Sequence, residues 1–286
     1  MSLLVQDIIK MAERQLNEAG INDAKSEAET LFCWLKRVDR AKFFMEWGEP
    51  AEDRTCEQFF NLIEERCKRV PLQHITGVQD FMGLTFQVKP EVLIPRMDTE
   101  VVVEWAEKLF KDKKGDTILD LCCGSGVIGV SLAKRIPKTK VTAVDNSEAA
   151  IALTEINARN NSVKMDIKLG DLYEPVRKKK YHMIISNPPY IRSDVIPTLM
   201  PEVKDYEPMD ALNGGEDGLD FYRRIILGAA NHLKKEGIIV FEIGHDQSLD
   251  VQQMIMDTEL FCDVQIHQDL AGLDRVVSAR LIGKGK

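Results

Sequence analysis

The segment Asn187-Pro188-Pro189-Tyr190 is the most chemically informative stretch of this chain. Two consecutive prolines fix the backbone and remove two N–H donors, so the segment offers mainly acceptors: the Asn187 side-chain oxygen and the Pro188 carbonyl. Two acceptors match the two N–H bonds of a planar NH₂ group. Such a nitrogen, in a carboxamide or on a nucleobase, is a poor nucleophile because its lone pair is delocalised into the adjacent π system. Holding both hydrogens lets it pyramidalise toward an incoming electrophile, and the proton can leave afterwards, so the catalysis is orientation plus electrostatics. Asn187, Pro188 and Tyr190 are the catalytic candidates. The candidate substrate contacts are Asn187, Pro188, Pro189, Tyr190 and Ile191, with Tyr190 offering either a face for a flat amide or base or a wall of the core.

A second cluster lies upstream. Asp120-Leu121-Cys122-Cys123-Gly124-Ser125-Gly126 ends one apolar run, and Asp145 ends the next, 19 residues after Gly126. Glycines let the backbone approach a cofactor closely, and a carboxylate ending a second strand can accept both ribose hydroxyls of an adenosine. Gly124-Ser125-Gly126-Val127-Ile128-Gly129 also satisfies the G-x-G-x-x-G of dinucleotide sites, so the loop alone leaves both cofactor classes open. Asp120 tilts the balance, because an acid there suits a cationic methyl donor such as S-adenosylmethionine better than a pyrophosphate. The candidate cofactor ligands are Asp120, Cys122, Cys123, Gly124, Ser125, Gly126, Asp145, Asp171, Leu172 and Asn187, with Asp171 meeting the adenine amine and Leu172 packing on the ring. Nothing nearby marks Cys122 or Cys123 as a nucleophile. The five histidines show no ligand spacing and the six cysteines no C-x-x-C pairing, so no metal is expected.

Hydrophobic periodicity supplies the elements that must position these loops. Val5, Ile8, Ile9, Ala12 and Leu16, then Ala24, Ala28, Leu31, Phe32 and Leu35, recur at helical spacing. Thr55-Cys56-Glu57-Gln58 reads as a capping-box start to a further helix. Residues 73–88, with Gly77 and Gly83 among short apolar alternations, predict a hairpin-like connector. After a helix opening at Asp98-Thr99, the pattern predicts strands over 117–121, 141–144, 165–169, 183–186 and 238–242 and helices over 126–136, 147–160 and 218–233. That alternation is a doubly wound parallel α/β sheet, which binds ligands at the carboxyl ends of its strands. Strand candidates over 261–267 and 275–281 are too close for a right-handed crossover and predict an antiparallel hairpin.

Composition bounds the reading. The 286 residues carry 38 basic and 46 acidic side chains, a formal net charge of −8. Disulfide scaffolds, collagen and disorder are excluded, and an acidic balance weakens any reading that needs a phosphate-tracking surface. Gln6, Asp7, Lys10, Glu13 and Arg14 break up the first apolar residues, so neither a cleaved leader nor a membrane span is expected there and the chain is expected to be cytoplasmic.

With both loops in view, the chain resembles the N(5)-glutamine methyltransferases of peptide chain release factors, the PrmC/HemK family. Beyond the loops the likeness includes Pro71-Leu72-Gln73-His74-Ile75-Thr76-Gly77, Phe81-Met82-Gly83-Leu84-Thr85-Phe86 and Val92-Leu93-Ile94-Pro95-Arg96. It continues through residues 207–223, Glu242-Ile243-Gly244-His245-Asp246-Gln247 and Asp274-Arg275-Val276-Val277, covering essentially the whole chain. The family usually has Tyr at His74, Pro-Glu at Met97-Asp98 and Thr at Cys123, and none of these departures falls on the Asn187 loop.

The resemblance implies a mostly parallel seven-stranded methyltransferase (Rossmann-like) sheet with an antiparallel C-terminal hairpin, plus a small N-terminal helical bundle. It implies a helical substrate-docking domain over 1–72, a connector over 73–90 and an S-adenosylmethionine-dependent methyltransferase domain over 91–286. The implied reaction methylates the side-chain amide nitrogen of the glutamine in the Gly-Gly-Gln motif of class-one release factors, leaving S-adenosylhomocysteine. No membrane or nucleic-acid partner is expected, and the chain is expected to act as a monomer. The alternative, a nucleic-acid amino-methyltransferase acting on adenine or guanine, needs a basic face and an extruded base. A nucleotide-binding module without chemistry would leave Asn187-Pro188-Pro189-Tyr190 unexplained.

Overall fold

In the computed structural model, which describes residues 3–110 and 116–283, the N-terminal periodicity becomes α1 (Val5–Glu18), α2 (Ala24–Lys36), α3 (Arg40–Met45), α4 (Asp53–Cys67) and α5 (Leu72–Thr76). Residues 1–2, 111–115 and 284–286, which fall inside the expected domains, lie outside the described residues. The apolar stripes of α1 and α2 meet Phe43, Phe59 and Ile63 in one buried cluster, where Phe32 sits edge-on to Phe59 with ring centroids 5.5 Å apart. Thr55 does not start α4. That helix begins earlier, at Asp53 after Glu52, with no side-chain cap, and burial of Thr55 in its first turns overrides the capping-box pattern. The short helix α5, closed by Gly77 at φ +73°, is an addition to the expected elements.

This helical unit runs to Gly77 and also takes in Met200–Tyr206, so the expected contiguous division is interrupted there. Electrostatics explains the return. Glu202 accepts from Arg66 Nη2 at 2.9 Å and from Arg69 Nη2 at 2.6 Å, while Arg66 Nε donates to Glu27 at 2.5 Å. Arg66 is buried, and carboxylates on two sides satisfy its charge.

The second unit holds Val78–Leu199 and the described residues from Glu207 onward. It opens with an antiparallel hairpin, β1 (Val78–Phe81) and β2 (Leu84–Gln87), followed by α6 (Asp98–Leu109). Then come β3 (Thr117–Leu121), α7 (Val127–Arg135), β4 (Lys140–Asp145), α8 (Glu148–Asn160), β5 (Asp166–Leu169) and β6 (Tyr181–Ser186). The chain closes through α9 (Asp220–His232), β7 (Leu233–Glu242), α10 (Ser248–Asp257), β8 (Phe261–Gln268) and β9 (Asp274–Leu281). The seven-stranded sheet has the order β5-β4-β3-β6-β7-β9-β8, parallel up to β7, with β9 antiparallel to both β7 and β8. This is the expected fold class. Sequence periodicity missed only α10 among its longer elements; most strand ends fall within a residue of expectation, but β6 starts two residues and β7 five residues earlier.

Period-two alternation divides the central strands between two cores. Leu119, Ile184 and Ile239 face Tyr222, Ile225 and Ile226 of α9 and Val251 and Ile255 of α10. Ile118, Met183, Ile185 and Val240 face Val102, Val103 and Ala106 of α6 and Val127, Ile128 and Val130 of α7. Both faces of the sheet are therefore covered, which leaves the carboxyl ends of its strands as the place where loops can meet a ligand.

Candidate active site

The carboxyl ends of β3, β4, β5 and β6 open on a cavity of about 400 Å³. Of the sequence-predicted residues, Cys122, Gly124, Asp145, Asp171, Leu172, Asn187 and Pro189 come together on its wall. Asp145 ties two loops to the end of β4: its Oδ2 accepts from Gly124 N at 2.8 Å and its Oδ1 from Ser147 N at 3.0 Å. Burial raises its carboxyl above the usual range, while the backbone N–H groups work against that rise. Each carboxylate oxygen retains acceptor capacity for a ligand hydroxyl.

Helix α8 braces the glycine loop from behind. Thr154 Oγ1 donates to Gly124 O at 2.9 Å, and Asn157 Nδ2 donates to Ser125 O at 2.9 Å. Gly126, at φ +82°, begins α7, and a Cβ there would come within 2.8 Å of Thr154 Cγ2, so only glycine fits. Cys122 takes a left-handed conformation at φ +57°. Burial drives its thiol far above the ordinary value, which removes it as a nucleophile. Asp171 forms an ion pair with Arg224, and Leu172 is buried beside it.

Several expected residues lie elsewhere. Cys123, Ser125 and Gly126 are buried behind the loop and do not line the cavity. Asp120 is the main correction. It is fully buried on the α7 side of β3, where its Oδ2 accepts from Gly129 N at 2.9 Å. Burial, with the nearby Asp145 charge adding to it, pushes its carboxyl up to about 8, so at neutral pH it offers little charge to a cation in the cavity. The strand's alternation turned it toward the helix, whereas its neighbours Leu119 and Leu121 face the other core.

Ser186 Oγ donates to Leu121 O at 2.7 Å and anchors the loop that follows β6. Asn187 reaches the cavity, Pro188 and Pro189 are buried, and Tyr190 and Ile191 line a larger groove of about 1490 Å³. Tyr190 packs against the core, and its carbonyl accepts from Gln247 Nε2 at 3.0 Å. The Asn187 Nδ2 donates to Thr99 Oγ1 at 3.3 Å.

The cavity's donor set suits S-adenosylmethionine. Glu91, Asp145, Asp171 and Asp210 supply carboxylates for a cationic ligand with ribose hydroxyls, and Val92, Leu93, Leu172 and Phe221 supply apolar surface for a flat base. Loop periodicity could not identify Glu91, Asp210 or Phe221 as cavity residues. Val92-Leu93, Asp210 and Phe221 did lie in segments that carried the resemblance, which was the available signal.

Residues 7–77 match the model of the PrmC N-terminal domain, and residues 99–200 match that of the Methyltransferase small domain. The release factor glutamine methyltransferase of Geobacter sulfurreducens is 39% identical, over 97% of this chain and 96% of its own. The protein of that name from Clostridium acetobutylicum is also 39% identical, over 96% of this chain and 98% of its own. The chain belongs to the release factor glutamine methyltransferase family. A crystal structure of a methyltransferase from Pyrococcus furiosus, 17% identical with a TM-score of 0.53 over 71% of this chain and 91% of its own, has a similar fold. In this member of the release factor glutamine methyltransferase family, Asn187, Asp145 and Asp171 line one cavity at the same end of the sheet.

Proposed function

We propose that this chain transfers the methyl group of S-adenosylmethionine to the side-chain amide nitrogen of the glutamine in the Gly-Gly-Gln motif of class-one release factors. The observation that carries the reading is Asn187, the first residue of the proline-stiffened loop, on the wall of the cavity that Asp145 and Asp171 also line. The family membership supports the protein-glutamine reaction over transfer to a nucleobase amine.

In this reading Asp145 holds the ribose hydroxyls and Leu172 and Phe221 flank the adenine. S-adenosylmethionine, when bound, supplies an electrophilic methyl group on a cationic sulfur. The Asn187 Oδ1 and the Pro188 carbonyl accept the two hydrogens of the glutamine NH₂, which leaves its lone-pair direction open to the cavity. Pro188 and Pro189 are buried and cannot donate, so the loop presents no N–H of theirs to compete for the substrate oxygen. No base has to act first, because an amide nitrogen that has gained a fourth bond releases its proton readily to water. We further place the chain in the cytoplasm, where its substrate works in translation, and take a single chain as the working unit. Among the described residues no helix is long and apolar enough to cross a membrane.

The test is methyl transfer from labelled S-adenosylmethionine to a purified class-one release factor, beside a version with the Gly-Gly-Gln glutamine changed to alanine, and beside bulk RNA and DNA. Label on the factor that vanishes with the glutamine is expected. Label on nucleic acid alone would transfer the loop's role to a base amine.

A further inference from the structure

Asn187 can turn either end of its carboxamide toward a substrate, and only the oxygen end accepts from an NH₂ group. Its surroundings decide which end is presented. Ser186 pairs with Phe241 across the parallel strands β6 and β7, so Asn187, which follows β6, lies beside Glu242, the last residue of β7. Glu242 is 1% exposed, and its carboxylate lies beside the Thr99 hydroxyl and the Asn187 amide, which offset part of the rise that burial gives its pKa. The same Thr99 oxygen accepts from Asn187 Nδ2 at 3.3 Å. Glu242 Oε2 is buried with no hydrogen-bond partner among the described residues, so the carboxylate has acceptor capacity to spare.

Proton counting then fixes the direction. A threonine hydroxyl has one proton, and burial pushes the Glu242 carboxyl up to about 7, so above that pH it is a carboxylate that can only accept. While Thr99 donates to Glu242, its oxygen can only accept, and the neighbouring group able to supply a hydrogen is the Asn187 NH₂. We propose that Glu242, through Thr99, holds the Asn187 carboxamide with its oxygen toward the substrate amide, which makes Glu242 and Thr99 positioning residues for the methyl transfer. This inference rests on the functional reading given above. With an apolar residue at 242, the Thr99 proton is free to point at Asn187, the carboxamide can turn over, and its NH₂ then faces the substrate NH₂. The charged and titratable groups around the carboxylate are Arg275 on β9, Asp98 on α6, and Tyr190. Tyr222 on α9 donates to the Glu242 backbone carbonyl at 2.8 Å rather than to its side chain.

The experiment measures kcat on a class-one release factor and, by calorimetry, the Kd for S-adenosylhomocysteine. The variants are Thr99→Val, Thr99→Ser and Glu242→Leu, with the first and third also made in an Asn187→Ala background. Thr99→Val and Glu242→Leu are each expected to lower kcat by about tenfold to a hundredfold, the range of a lost orienting contact, with the Kd within about twofold of wild type. Thr99→Ser, which keeps the hydroxyl, should stay within about threefold. If the pair acts through Asn187, adding either change to Asn187→Ala should cost less than about twofold more. A full multiplicative loss in that background would overturn the proposal, because a residue that merely supports the fold costs activity whether or not Asn187 is present. Should Glu242→Leu fail to fold, the Thr99 variants decide the matter alone. A wild-type chain that binds S-adenosylhomocysteine but leaves the factor unmodified would instead remove the functional reading, and the inference with it.

Discussion

In the proposed reaction Asn187 acts through one oxygen atom, and that makes its substitution diagnostic. Asn187→Ala removes a preorganised acceptor and is expected to lower kcat by about two to three orders of magnitude while changing the affinity for S-adenosylhomocysteine little. Equal losses of binding and turnover would show that the residue serves the fold. Asp145 has the opposite signature. Its two oxygens already gather Gly124 N and Ser147 N around the cavity, so Asp145→Ala should weaken S-adenosylhomocysteine binding first, by at least tenfold in calorimetry, the equivalent of about one lost hydrogen bond to a charged group. An unchanged Kd would take it out of the site. Both residues were legible in the sequence because each ends a strand in a known position relative to a loop. Asp120 was not, because it sits inside a strand that is buried on both sides. There an acid can face either core, and only the packing of α7 decides that it faces Gly129.

A Cβ on Gly129 would lie 2.6 Å from Met165 Cε and 2.8 Å from Asp120 Oδ2, so the third glycine of the loop allows α7 to approach β3. Gly129→Ala is expected to destabilise the fold by about 1–3 kcal/mol through overpacking, read as a lower urea midpoint at constant m-value. No change in midpoint would mean that the helix has room to shift. Asp120 adds a pH signature. Its folded pKa of about 8 lies above the ordinary 3.8, so the folded state keeps a proton that the unfolded chain gives up. Its contribution to stability is fully present below the unfolded value and is lost as pH rises through the folded one. Asp120→Asn removes that dependence, and its stability relative to wild type should climb between about pH 5 and about pH 8. A difference that stays flat with pH would mean that Asp120 is ionised in the fold. The capping-box expectation at Thr55 failed for a related reason: a local signal gave way to burial of the residue among the helices.

On the scale of the whole molecule, the sequence order and the compact units disagree at Met200–Tyr206, and no periodic signal marks that return. The segment is held by charge rather than by an apolar stripe, with Glu202 between Arg66 and Arg69. Hydrophobic patterning cannot foresee such a pairing across the sequence. Glu202→Ala leaves the buried Arg66 with Glu27 as its remaining carboxylate, and a loss of about 1.5–3 kcal/mol in thermal or urea unfolding is expected from the lost charged hydrogen bonds. Faster hydrogen exchange confined to Met200–Tyr206 and the end of α4 should accompany it, and unaltered stability would show that the pairing is incidental. The seven-stranded sheet, by contrast, was readable almost strand by strand, because parallel strands between helices impose a regular alternation on the chain.

All of these scales serve one claim, that the cavity and the Asn187 loop bring a methyl donor to a glutamine amide nitrogen. The most direct measurement is tandem mass spectrometry of a class-one release factor after incubation with the chain and S-adenosylmethionine, reading which atom gains the methyl group. The account predicts a single methyl on the side-chain nitrogen of the Gly-Gly-Gln glutamine. A methyl on any other residue of the factor, or a factor left unmodified by a chain that binds the cofactor, would contradict it.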